Sequence, residues 1–482
     1  MPFMSRSPLR FLLYLAGLLV AVLVLAGVAL ALLWPGERLG EQIASEMETQ
    51  LGVPVSIEGD TTLRLWPGPA VHMSDVLLGP EPDADPVGHL AAARLSVRWL
   101  PLLRGRLDPG TLLLDTPMLN LERDAAGELN VDWRQTDDAD DRRLALDLRI
   151  RGGELHWHDQ GQDQAVTVRG LEVDAPSTQW HSGADDAHPL ARLSLTASVS
   201  AERVEMGVLE FDDVSFGVRA RDGVIRSEDW EMTLFDSRGT GEAEADFTEA
   251  PPHWVLNVAF DDLHLESFPE AWLPPGAASG TADLTASLTS QSQEAQALLS
   301  HLRGEVVLSG HDLLVRGVDL DEELKAYERT QRFSLVDAAA VVLVGPAWLA
   351  ATKGTDFARL AGGANGETEI VQLLSAWEIE NGVAHSRDVA LATPRNRLAA
   401  QATLELPERR IREAEVAVVD GDGCALIRQE VHGSFDEPEI EEPHFLEVLL
   451  GAPLDLLERG LDALSISPED CEVFYDGDVA AP

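Results

Sequence analysis

The chain has 482 residues, a length that fits two to four domains around a large core, and 45% of it is apolar, a globular rather than a disordered composition. Its 36 Lys+Arg stand against 83 Asp+Glu for a formal net charge of −47, and Lys325 and Lys353 are its only lysines. With no Lys/Arg-rich run to release counterions, nucleic acid is excluded as a partner, and the same negative field argues against electrostatic docking on anionic lipid headgroups.

Residues 11–34 are 24 consecutive uncharged, mainly apolar positions. As a helix they would be about 36 Å long, enough to cross a hydrocarbon core of about 30 Å with some tilt. Arg6 and Arg10 precede them, and Glu37, Arg38, Glu41, Glu46 and Glu48 follow. By the positive-inside bias, residues 1–10 stay cytoplasmic and the rest is exported. The alternative is a cleaved signal peptide with Ala29-Leu30-Ala31 as cleavage site, against which stand the length of the run and the interfacial Trp34-Pro35. Gly17 and Gly27 are too far apart for a GxxxG packing pair.

Leu39, Ile43, Met47 and Leu51 recur every fourth residue and predict one short amphipathic helix. The period then changes to two. Leu63 and Leu65 alternate with polar residues, as do Leu95, Val97 and Trp99, then Leu144, Leu146, Leu148 and Ile150, then Leu155 and Trp157. Val166 with Val168, Leu171 with Val173, and Leu193 with Leu195 continue the pattern. Strict alternation puts apolar side chains on one face and polar ones on the other, as in an antiparallel sheet. Gly152-Gly153, Asp222-Gly223 and Asn381-Gly382 sit between such runs and accept the positive φ of tight hairpins. The last two open a weak repeat at an offset of 159, in which Ser227, Asp229, Arg238 and Ala243 match Ser386, Asp388, Arg397 and Ala402.

Helical signals return at 293–302, 321–331 and 445–464; the apolar stretch 338–351 is too short to span a membrane. Four acids in residues 137–141 mark a linker, and Pro274-Pro275-Gly276 a second break. The expected organisation is 11–34 anchor, 35–136 first β module, 137–143 linker, 144–275 middle β module, 276–440 third module with a helical insert, and 441–482 terminal helix and tail.

Chemical motifs are sparse. HExxH, GxSxG, GxxxxGK[ST] and GxGxxG are all missing, so nothing points to an enzyme, a metal or a cofactor. His156 and His158 alternate with Trp157 and read as exposed strand histidines rather than a metal site. Asp420-Gly421-Asp422-Gly423 lacks the third acid and the closing Glu of a calcium loop and reads as a turn. If the compartment is oxidising, Cys424 and Cys471 are expected to pair; the alternative is two isolated thiols.

Several stretches together resemble the AsmA-like family: Gly52-Val53-Pro54-Val55-Ser56-Ile57, Leu63-Arg64-Leu65-Trp66-Pro67, Trp99-Leu100-Pro101-Leu102-Leu103-Arg104-Gly105 and Asn130-Val131-Asp132-Trp133 near the N-terminus, and Asn381-Gly382-Val383-Ala384 and His432-Gly433-Ser434-Phe435-Asp436 further on. The resemblance implies an inner-membrane anchor, a periplasmic elongated and curled β-sheet with a few amphipathic helices, and a role in outer-membrane homeostasis. It further implies that phospholipid acyl chains pass along a β-groove without chemistry. The groove candidates are Leu63, Leu65, Leu95, Val97, Trp99, Leu144, Leu146, Leu148, Ile150, Leu155 and Trp157. The same alternation suits a closed β core, and the rival function is a scaffold for outer-membrane protein assembly.

Overall fold

The computed structural model describes residues 44–45, 48, 54–64, 68–79, 86–98, 109–127, 129–130, 143–161, 164–181, 193–270, 272–273, 275–292, 297–317, 319–322, 324, 366–435, 438–441, 444–445, 471 and 473–482. They are mostly β and divide near Gly207 into two compact units. The predicted anchor 11–34, the linker, the stretch 338–351 and residues 446–464 of the terminal helix lie outside the described residues, among which no helix is long and apolar enough to cross a membrane. Ala44, Ser45 and Glu48 are helical within the predicted Leu39–Leu51 helix. A second helix opens at Leu320, where the Asp319 carboxylate accepts the Glu322 N–H at 3.0 Å as an N-cap.

The first unit contains β1 (Val55–Ile57), β2 (Thr61–Arg64), β3 (Ala70–Leu78), β4 (Gly88–Val97), β5 (Pro109–Arg123), β6 (Arg143–Asp159), β7 (Gln164–His181) and β8 (Leu193–Met206). β1 and β2 share the edge of β3, and β3 to β8 pair in chain order. The sheet is antiparallel as expected except at one place, where β5 and β6 run parallel, Leu112 opposite Leu148. Nineteen residues separate Arg123 from Arg143, enough chain to carry the strand back to its starting end, which a tight turn cannot do. The expected hairpin at Gly152-Gly153 is also corrected, because both glycines lie inside the 17-residue β6.

The second unit is an antiparallel meander of β9 (Leu209–Arg221), β10 (Val224–Leu234), β11 (Ser237–Asp246), β12 (His253–His264), β13 (Ala278–Ser279), β14 (Thr281–Gln291), β15 (Arg303–Arg316), β16 (Glu367–Glu380), β17 (Val383–Ala392), β18 (Arg397–Glu405), β19 (Arg410–Val419) and β20 (Ala425–Ser434). The short β21 (Pro438–Ile440) and β22 (His444–Phe445) line the far side of β20. Phe445, expected to open a helix, instead pairs with Ile427, because that stretch of the β20 edge offers free backbone partners. Asp222-Gly223 and Asn381-Gly382 do turn hairpins, β9–β10 and β16–β17. The repeated Arg238 and Arg397 fall at the start of the strand that follows each hairpin.

A closed core lies on one face of this unit. Leu373, Leu391, Leu398, Val418 and Ile427 stand opposite one another across β16 to β20, each 5% exposed or less. The other face of these strands is floored by Ala390, Ala399 and Ala417, also in direct register. Their small side chains leave room for a C-terminal strap, in which Phe474, Tyr475 and Val479 pack on the alanines. Cys424 and Cys471 are joined by a disulfide at the start of this strap. Gln401 Nε2 donates to Phe474 O at 2.7 Å, and the buried Arg397 guanidinium donates to Val479 O at 3.0 Å. The Tyr475 hydroxyl donates to Asp388 Oδ1 at 2.6 Å and accepts the Val479 N–H at 2.9 Å. Burial and then the Asp388 carboxylate push the Tyr475 phenol well above its ordinary pKa.

Candidate functional site

In the first unit the apolar residues of successive strands fall opposite one another and form rows across the sheet. One row runs Leu63, Val71, Leu95, Leu112, Leu148 and Ala175. The next runs Met73, Ala93, Leu114, Ile150, Val173 and Val199. Nearer the other end come Leu119, Leu155, Val168 and Val204, then Leu121, Trp157, Val166 and Met206. Each of the first two rows joins six strands and so crosses five strand spacings, about 24 Å.

The rows stay on one face because β3, β5, β6 and β7 change phase at one level. On β3 the apolar positions pass from Val71 and Met73 to Val76 and Leu78, on β5 from Leu112 and Leu114 to Leu119 and Leu121, and on β6 from Leu148 and Ile150 to Leu155 and Trp157. The break holds residues with positive φ: Asp75 at 49°, Thr116 at 45°, Gly152 at 59° and Gly170 at 65°. Asp75 and Thr116 both fall opposite Ala91, and Thr116 lies level with Gly152. The β3–β4, β4–β5 and β5–β6 pairings keep their register across this level, so partner strands turn over their alternation together, whereas β6 and β7 shift register between Ile150 and Gly153 and again between Gly153 and Leu155, as bulges do. Gly152 of β6 supplies a left-handed conformation inside the strand rather than a chain reversal.

Exposure distinguishes this face from the core of the second unit. Leu63, Leu95, Leu146, Leu148, Ile150, Leu155 and Trp157 are all half-buried, as are Leu112, Leu114, Val166, Val168 and Val173 opposite them. Their neighbours at the β3–β4 end, Met73, Val76, Leu90 and Ala93, are buried against one another. Of the remaining candidates, Val97 ends β4 and Leu144 pairs with Trp180 near the start of β6, while Leu65 and Trp99 lie outside the described residues. In the second unit the row Trp230, Gly241, Val258 and Ala286 lines an open depression of about 560 Å³, since Gly241 and Ala286 have little side chain to fill it.

The opposite face of the first unit is polar. His156 and His158 lie there, 3.7 Å from Glu154 and 3.8 Å from Glu122. Among the described residues no three His, Cys, Asp or Glu side chains are placed to hold a metal ion. Asp420 forms a plain turn, its Oδ1 accepting the N–H groups of Asp422 at 3.0 Å and Cys424 at 2.9 Å. The alternation pattern located the apolar face of β6 and β7. It missed Leu112, Leu114, Leu119 and Leu121, because the run Leu112-Leu113-Leu114 and the phase change at Thr116 hide the period of β5. The row of left-handed residues had a faint signal, the paired glycines of β6.

Comparison with protein-family models matches the AsmA family over residues 8–146 and 155–389, most of the chain. No curated protein and no solved structure matches it.

Proposed function

The chain belongs to the AsmA family, and from that membership we propose that its apolar β face carries phospholipid acyl chains between the inner and outer membranes without catalysing a reaction. The observation that carries the reading is the set of registered apolar rows left half-exposed in the first unit. A closed core hides such side chains, as the second unit does with Leu391 and Leu398 at 0% exposure. An open apolar face of this extent marks a binding surface.

The energetics favour lipid as its occupant. A phospholipid leaving a bilayer exposes about 30 methylenes, which at roughly 0.8 kcal/mol each cost on the order of 25 kcal/mol. Only continuous apolar cover removes that barrier. An acyl chain spans about half of a 30 Å core, some 15 Å, and an apolar row of about 24 Å accommodates it along its length. In this reading residues 11–34 anchor the chain in the inner membrane, the β units lie in the periplasm, and the polar face with its many carboxylates meets water. Phospholipid is then the partner, and no cofactor takes part.

The test is native mass spectrometry of the purified full chain in mild detergent, followed by lipid extraction. Phospholipid at one or more per protein supports the reading. A lipid-free mass from folded protein overturns it and leaves the scaffold for outer-membrane protein assembly in its place.

A further inference from the structure

The weak repeat at an offset of 159 lays out one arrangement twice in the second unit, and lipid carriage makes no use of it. Asp229 and Arg238 of the first copy match Asp388 and Arg397 of the second. The ladders agree with the sequence. Glu231 lies opposite Thr240 and Thr240 opposite Ala259, as Ala390 lies opposite Ala399 and Ala399 opposite Ala417.

In the second copy these positions seat an extended polypeptide, the chain's own strap. Ala390, Ala399 and Ala417 floor the seat. Asp388 accepts the Tyr475 hydroxyl at 2.6 Å and the Asp478 N–H at 2.8 Å, and Gln401 Nε2 donates to Phe474 O at 2.7 Å. Two of these three hydrogen bonds fall on main-chain groups of the strap, so the seat holds a backbone as well as side chains.

In the first copy the matching residues line the open depression of about 560 Å³: Asp229 for Asp388, Glu231 for Ala390, Thr240 for Ala399, Glu242 for Gln401 and Ala259 for Ala417. That volume is in the usual range of binding pockets, about 300–1,000 Å³. Among the described residues nothing crosses it as the strap crosses its counterpart.

Charge names the occupant. Where the strap's seat has the donor Gln401, the depression has the acceptor Glu242, which takes the Asn257 Nδ2 hydrogen bond at 2.9 Å. Arg397 is buried and donates to the strap, whereas Arg238 is exposed and ion-paired with Glu231. Asp229 has neither a hydrogen-bond nor an ion-pair partner among the described residues. Three carboxylates thus stand against one guanidinium. The strap of a second copy is a poor fit, because it would bring Asp476 and Asp478 against these acids.

We propose that this depression binds an extended segment of a partner protein that carries lysine or arginine beside an apolar residue, in the way its counterpart binds the strap. The proposal depends neither on lipid carriage nor on the anchor.

The experiment titrates the full chain, in mild detergent, into a fluorescent peptide of residues 473–480 carrying Asp476→Lys and Asp478→Lys, with a benzophenone in place of the Phe474 ring for photo-crosslinking. Saturable binding is expected, with cross-links to β10, β11 or β12. An exposed ion pair contributes up to about fivefold in affinity, so D229N/E242Q should weaken binding about tenfold. R238Q frees Glu231 and should tighten it about threefold. All three side chains are exposed, so these variants leave the sheet folded. The peptide with both aspartates retained should bind at least about tenfold more weakly. Absence of saturable binding overturns the proposal, as do equal affinities of the parent chain and both variants. Cross-links to β17, β18 or β19 would put the peptide in the strap's own seat, and displacement by an equal concentration of phosphoethanolamine would make the depression a headgroup site; either result overturns it as well.

Discussion

Removing the disulfide that holds the C-terminal strap should free the strap and leave the sheet beneath it folded. Cys424 and Cys471 are 47 residues apart, and closing a loop of that length removes unfolded-state entropy equivalent to about 4 kcal/mol at 25 °C in the chain-entropy treatment. The sheet does not depend on the bond, because β16 to β20 are joined by their own ladders and by the Leu391–Leu398–Val418–Ile427 row. The strap does depend on it. Without the bond its docking rests on Phe474, Tyr475 and Val479 over the alanine floor and on the hydrogen bonds from Gln401, Arg397 and Tyr475. Hydrogen exchange read by mass spectrometry reports the opening of this segment. In a C424A/C471A chain, or after reduction, the amides of Phe474, Tyr475 and Val479 should exchange faster by up to about a thousandfold, since each tenfold corresponds to about 1.4 kcal/mol. The amides of Leu398 and Val418 should change little. Strap exchange within about threefold of the oxidised protein would refute the reasoning and mean that packing alone holds the segment.

Four further outcomes follow from the same geometry. Leu148→Glu or Leu146→Glu places a charge on a half-buried apolar row, so co-purified phospholipid should fall towards zero while the melting curve moves by no more than about 1 kcal/mol; normal lipid content in the folded variant would remove those residues from the path. Tyr475→Phe deletes the hydroxyl that joins Asp388 to the Val479 N–H, which should cost the strap about 2 kcal/mol of local stability by hydrogen exchange. The raised phenol pKa of Tyr475 gives this docking a pH limit: it is fully present below the ordinary value of 10.0 and is lost as pH rises through the higher folded value, and the Tyr475→Phe chain should lack this alkaline transition. Glu405 has the opposite sign. Hydrogen bonds from Arg412 and then Arg410 hold its carboxyl below 4.5, so its stabilising effect is present above that pH and fades as acid protonates it, and Glu405→Gln should flatten the acid limb of unfolding.

The amino-acid sequence by itself determined the class of this protein. Period-two alternation in β6 and β7 forces apolar side chains to one side of a sheet, and the turns at Asp222-Gly223 and Asn381-Gly382 are local chemistry that needs no distant partner. Tertiary structure decided what local pattern leaves open. The parallel pairing of β5 with β6 depends on where a nineteen-residue connection returns, which no periodicity encodes. Whether Gly152-Gly153 reverses the chain or continues the strand depends on the neighbouring strands, since Thr116 takes the left-handed conformation level with Gly152 and the two strands keep their register. The strap was hidden for the same reason: Phe474, Tyr475 and Val479 have no periodic signal, and the alanines that receive them lie far away in the chain. Above all, alternation reads the same for a face that is closed and a face that is open. Leu148 and Leu398 both sit on apolar rows, and only the three-dimensional structure leaves the first half-exposed and buries the second, because exposure is set by what packs across a face and not by the strand that forms it.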